Sequence, residues 1–209
     1  MKLTGIQLDA LREISNIGTG NAATSLSLML EKRIQVRVPA AQFLAIDEVT
    51  QALGGAERKV SAIYFQIQGQ ASGAFLLIFS VKEAERLVLW LLGNGSQKAL
   101  RWNELAESSL KELGNIFVGT YFNALTQVVN LRFFYSAPQM VIDMLQAALD
   151  AILIKFASQT EHVFVLETVF EIEKNTIRGH ALFFPDAESL KVLLDGLKPG
   201  IQMKKGIRR

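Results

Sequence analysis

One pattern, met twice, constrains this chain more than any other feature. Asp9, Glu13, Asn16 and Pro39 follow the spacing D/S-x3-E-x2-N-x22-P, and Ser108, Glu112, Asn115 and Pro138 repeat it 99 residues later. Further on, Glu83-Ala84-Glu85-Arg86-Leu87 matches Asp186-Ala187-Glu188-Ser189-Leu190 at a displacement of 103, as Leu91 and Gly93 match Leu194 and Gly196. An internal repeat on this scale sets the architecture before any single element is read. It predicts two pseudo-symmetric halves from an internal duplication, about 1–97 and 98–200, with a longer loop in the second.

Each half reads as a long amphipathic helix, a strand, a variable helical connection, a two-strand hairpin and a closing helix. In half one these are a helix over 7–31, a strand over 34–38, a hairpin of 60–68 with 72–80, and a helix over 83–92. Gly93-Asn94-Gly95 stops that helix, and the turn over 93–97 is the seam. In half two they are a helix over 104–129 with Asn103 as N-cap, a strand over 131–135, and a helix over 140–156. A hairpin of 163–171 with 176–184 follows, closed by a helix over 186–197. The expected class is α+β, with the long motif helices beside antiparallel strands. Without a Pro/Gly/Ser-rich linker, the halves read as one fused domain over 1–200 followed by a basic tail over 201–209.

Composition narrows the chemistry. The chain has 209 residues, half of them hydrophobic, enough for a sizeable core. Its formal charge of +2 owes much to Lys204, Lys205, Arg208 and Arg209; without these four of the 22 cations, 18 remain against 20 acids. The excess therefore reads as a solvated tail, and neither nucleic acid nor membrane is an expected partner. The absence of cysteine excludes disulfides, thiolate catalysis and Cys-based zinc sites. His162 and His180 lack metal-ligand spacing and read as ordinary strand residues. The first eleven residues are interrupted by Lys2, Thr4, Gln7 and Asp9, unlike a signal peptide, so a soluble cytoplasmic protein is expected.

On a helix, positions i, i+4 and i+7 lie at about 0°, 40° and 340°. Asp9, Glu13 and Asn16 thus form one narrow polar stripe, with Leu11, Ile14 and Ile17 placed to face a core. Ser108, Glu112 and Asn115 repeat it, backed by Leu110, Leu113, Ile116 and Phe117. Most polar helix stripes are simply solvated. Asn, however, is a poor helix former, and two mid-helix copies at one repeat position ask for a reason. Gly18-Thr19-Gly20-Asn21-Ala22-Ala23 looks like a dinucleotide fingerprint but lies inside a helical run, so close helix packing is the better reading. Met29, Trp90 and Trp102 read as core or seam residues.

The duplicated motif, together with Glu13-Ile14-Ser15-Asn16-Ile17-Gly18-Thr19-Gly20-Asn21-Ala22-Ala23, resembles the CheC, CheX and FliY phosphatases of bacterial chemotaxis. The two-copy layout without a flagellar-switch extension is nearest to CheC. The resemblance implies hydrolysis of the aspartyl phosphate of a CheY-like response regulator. Glu13 or Glu112 would anchor the regulator through its active-site lysine, and Asn16 or Asn115 would orient the attacking water. It also implies that Asp9 and Ser108 are interchangeable flanking positions and that Pro39 and Pro138 are structural. No cofactor is implied in this chain, the regulator bringing its own Mg²⁺. The alternatives are a non-catalytic module like the middle domain of FliM, or an adaptor for the deamidase CheD. Site two is expected to carry more activity, because the first helix begins close to residue 1 and Gly18 and Gly20 follow Asn16.

Overall fold

The computed structural model describes residues 3–93, 100–156 and 161–195. The tail over 201–209, the seam beyond Gly93 and the last two residues of the closing helix lie outside them.

Helix α1 (Gly5–Leu30) and helix α4 (Glu104–Val129) each run 26 residues, and their ends match at the repeat displacement of 99. Each is capped at the same repeat position. Thr4 accepts from Gln7 N–H while the Gln7 side chain returns to Thr4 N–H, and Asn103 accepts from Ala106 N–H. Each also stops on a left-handed residue, Glu31 at φ 52° and Asn130 at φ 54°. Both helix starts are therefore capped, the one close to residue 1 included.

Between these helices lie β1 (Ile34–Arg37), β2 (Ala41–Ala45), a 3-10 turn Ile46–Glu48, α2 (Val49–Ala52), β3 (Lys59–Gly69), β4 (Gly73–Ser80) and α3 (Val81–Leu91). After α4 come β5 (Phe133–Tyr135), β6 (Gln139–Met144), α5 (Leu145–Phe156), β7 (His162–Ile172), β8 (Asn175–Pro185) and a helix, α6, described over 187–195. Two expectations need correction. The connection after β1 opens with a strand, β2, and the helix expected over 140–156 is a strand up to Met144 and a helix only from Leu145.

The eight strands form one antiparallel sheet whose central path is β1-β7-β8-β4-β3-β5, with β2 also on β7 and β6 also on β3. Each half's first two strands therefore pair with the other half's hairpin. The registers correspond as well: Ile34 faces Ile172 as Phe133 faces Gly69, and Ala41 faces Leu166 as Met140 faces Ile63. The α+β class stands, with the matched halves crossed over one another rather than set side by side.

Both faces of the central strands are buried, and they separate by the strand period of two. Ile63, Phe65, Ile67, Phe75, Leu77 and Phe79 face a core shared with α1, α3 and α4. Val60, Ala62, Ala74, Leu76 and Ile78 face a second core under α2 and α5. Each fully buried Leu, Ile or Phe contributes roughly 1.5–3 kcal/mol. The motif helices thus lie on one face, pinned from beneath by the larger core.

Candidate active site

Helix α1 buries Leu11, Ile14, Ser15, Gly18, Thr19, Ala22, Ala23 and Leu26, a stripe of largely small residues that brings α4 close. A Cβ on Gly18 would stand 3.0 Å from the Tyr121 Cα of α4. One turn earlier, Ser15 Oγ donates to Leu11 O at 2.7 Å, which commits its only proton. The Tyr121 hydroxyl, 3.3 Å away, therefore donates to Ser15 Oγ. Burial pushes the Tyr121 hydroxyl above its ordinary range. Behind Asn115, Gly114 lets α4 settle on β3, where an added Cβ would meet Ile63 and Phe65 at 3.1 and 3.3 Å. Each motif Asn thus follows a small or glycine residue at which its helix is held down.

The two stripes emerge where the sequence placed them. Asp9, Glu13, Ser108 and Glu112 are exposed; Asn16 and Asn115 are half-buried at the foot of each stripe. Asp9 lies 3.5 Å from Arg12 in an exposed pair that contributes little. Ile17 departs from its expected place: it is 48% exposed beside Asn16, because it lies at the edge of the apolar arc. Met29 also faces outward, and within the glycine run Gly20 is exposed while Gly18, Ala22 and Ala23 are buried.

The two Asn amides differ. The Asn16 amide closes a two-bond ring on Val38, accepting from Val38 N–H at 2.8 Å and donating to Val38 C=O at 3.3 Å. The next residue is Pro39, so the x22 spacing of the motif has a physical counterpart: the helix Asn fastens the backbone just before the proline, between β1 and β2. In half two the matching residue is Ala137, and its carbonyl instead accepts from Ser136 Oγ at 3.0 Å. Ser136 Oγ also accepts from Gln66 N–H at 3.0 Å. The Asn115 amide has no hydrogen-bond partner among the described residues. Nearby, the Tyr135 ring packs edge-on to Phe65 at 6.3 Å, with its hydroxyl 2.7 Å from where a Gly119 Cβ would stand.

Sequence reasoning did not single out Ile6 and Leu105. They occupy matching positions seven residues before Glu13 and Glu112, and they are 52% and 59% exposed. A seven-residue step returns to nearly the same helix face, so each polar stripe carries an apolar foot one turn before Asp9 or Ser108. The signal was available as a repeated apolar residue on a face otherwise polar. Among the described residues, no group of three or more His, Cys, Asp or Glu could hold a metal. No described helix is long and apolar enough to cross a membrane.

A family model described as the CheC-like family matches residues 6–42, the span from α1 to the first residues of β2. Over 195 residues the chain is 31% identical to the CheY-P phosphatase CheC of Bacillus subtilis strain 168, covering 91% of this chain and 93% of that protein. The fold is similar to the crystal structure of Thermotoga maritima FliY, with a TM-score of 0.76 at 20% identity over 95% of this chain and 99% of that one. It is also similar to the FliM middle domain from H. pylori, with a TM-score of 0.63 at 13% identity over 93% and 99%. With identity at this level along nearly its whole length, a repeated motif and a shared fold, the chain belongs to the CheC-like family.

Proposed function

We propose that this chain is a protein aspartyl-phosphate phosphatase that dephosphorylates a CheY-like response regulator in the cytoplasm. The observation that carries this reading is the Asn115 amide, without a hydrogen-bond partner among the described residues and half-buried beside exposed Glu112 on a helix packed on β3. The 31% identical relative named a CheY-P phosphatase supports the substrate class.

Hydrolysis of an acyl phosphate needs a water oxygen in line with the bond from phosphorus to the aspartyl oxygen. The water oxygen attacks phosphorus, that P–O bond breaks, and the aspartate leaves as carboxylate; the water's proton passes to the phosphate or to solvent. Such displacements are accelerated chiefly by positioning. A neutral amide suits the task, because it enters an anionic site without repulsion and both donates to and accepts from one water. Glu112 and Glu13 anchor the regulator through its lysine. Leu105 and Ile6 supply apolar contact at the other end of each stripe.

The rival reading is a non-catalytic module, favoured by the likeness to the FliM middle domain. Fold alone does not separate the two, so the test is chemical. Phosphate release from a phosphorylated CheY-like regulator is measured with and without the protein. Acceleration is expected, with Asn115→Ala lowering kcat and Glu112→Ala raising KM. Binding without acceleration would establish the module instead.

A further inference from the structure

We propose that Ser136 is a positioning residue that keeps the Asn115 amide available, and that site one lacks this device, its amide being latched to the backbone of Val38. The inference rests on the reading of Asn115 and Asn16 as the residues that orient water.

The two halves provide an internal comparison. At matching positions stand Asn16 and Asn115, Val38 and Ala137, Arg37 and Ser136, Val36 and Tyr135, and Gly20 and Gly119. In site one the residue before the bonded peptide is Arg37, whose guanidinium reaches away to Glu171 at 2.8 Å and offers nothing to the Val38 carbonyl. Both the N–H and the C=O of Val38 are thus free to close on the Asn16 amide. In site two Ser136 stands on β3 through two hydrogen bonds, its N–H donating to Gln66 C=O and its Oγ accepting from Gln66 N–H, while the same Oγ donates to Ala137 C=O. The carbonyl that would receive Asn115 is thereby held toward the Ser136 hydroxyl.

A second difference acts in the same direction. Asn115 and Gly119 lie one turn apart on one face of α4, and the Tyr135 hydroxyl fills the space over Gly119. Over Gly20 nothing lies within 4 Å. The strand β5 therefore carries a bulky ring between itself and the helix where β1 has buried Val36. Val38 takes one of the two N–H donors and one of the two lone pairs of the Asn16 amide and so fixes its orientation, whereas among the described residues nothing fixes that of Asn115.

The experiment reads the amides directly and then the rate. In the full-length protein, hydrogen exchange of the Asn side-chain amides is followed by NMR, with Asn16 expected to be protected and Asn115 to exchange freely. Ser136→Ala should protect Asn115. In an Asn16→Ala background, Ser136→Ala should also lower kcat roughly tenfold at unchanged KM, with Ser136→Thr restoring it; tenfold corresponds to about 1.4 kcal/mol. Conversely, Arg37→Ser should release Asn16 and raise kcat in an Asn115→Ala background. Equal protection of both amides in the unaltered protein would overturn the inference. So would a Ser136→Ala variant in which neither exchange nor kcat changes. Failure to accelerate any regulator would sink the phosphatase reading instead, while the exchange data would still report whether the latch exists.

Discussion

Asn16 and Asn115 share a motif position but differ in what they hold in the fold. Removing the Asn16 amide strands the N–H and C=O of Val38, a loss of about 1–2 kcal/mol partly offset by the few tenths that Ala gains over Asn in a helix. Asn16→Ala should therefore destabilise by about 1 kcal/mol, whereas Asn115→Ala should be neutral or slightly stabilising. Urea denaturation midpoints of the two variants check this; equal midpoints would mean that the Val38 ring is absent in solution. The polar stripes were legible in the sequence because spacing determines which face a helical residue occupies. The ring was not, because it joins a side chain to a backbone 22 residues away. A second residue-scale expectation concerns His180, which stands in the middle of β8. Burial first, then Arg58, lower its pKa below 6.5, against a smaller opposing effect of Glu167. Its neutral form is the one that the fold favours. The stability it contributes is thus present above about pH 6.5 and is lost as pH falls through the folded value. The denaturation midpoint of His180→Leu, relative to that of the unaltered protein, should rise as pH is lowered from 7 through the unfolded pKa.

At the scale of elements, the packing of α1 on α4 turns on one glycine of the two that the sequence offered. Gly18→Ala would set its Cβ 3.0 Å from the Tyr121 Cα, a backbone atom that cannot rotate aside. The helix gains up to about 1 kcal/mol from replacing Gly, but overpacking costs about 1–3 kcal/mol, so a net loss is expected. Gly20→Ala meets nothing within 4 Å and should be stabilising by up to about 1 kcal/mol. Thermal unfolding of the two variants should move in opposite directions, and a shared sign would contradict the close approach of α1 to α4 at Gly18. The long helices were readable from the sequence because caps and a 3.6-residue period mark them together. Strands β2 and β6 were not. Ala41–Ala45 is short and lacks a clear alternation, and Gln139–Met144 runs without a break into the apolar stretch of α5. Both lie at sheet edges, where one-sided pairing leaves Val141, Ile142 and Met144 partly in solvent and removes the burial signal that betrays central strands.

For the whole molecule, the crossed pairing makes a prediction about its parts. Residues 1–97 alone would keep the β3–β4 hairpin but lose β5, β6 and the whole of β7–β8, leaving β1 and β2 with no strand to pair with. Expressed singly, fragments 1–97 and 98–209 should be unfolded or self-associated by circular dichroism and sedimentation. Coexpressed, they should recover one complex. A monomeric, cooperatively folded 1–97 fragment would show that each half is self-sufficient. The repeat was legible in the sequence because matched residues keep their spacing; the crossing was not, because spacing carries no record of which half supplies a partner strand.

That crossing also bears on how the two sites can differ. Two separate copies of one half, exchanging strands in the same way, would be bound by symmetry: every substitution would appear in both sites, and association would depend on concentration. Joined in one chain, the copies meet at a concentration set by the connection between them, and each position is free to vary alone. Arg37 and Ser136 occupy equivalent places with different side chains, as do Val36 and Tyr135. Covalent fusion thereby converts a symmetric assembly into an asymmetric one without dismantling the sheet, so that one site can specialise in turnover while its counterpart serves as part of the frame.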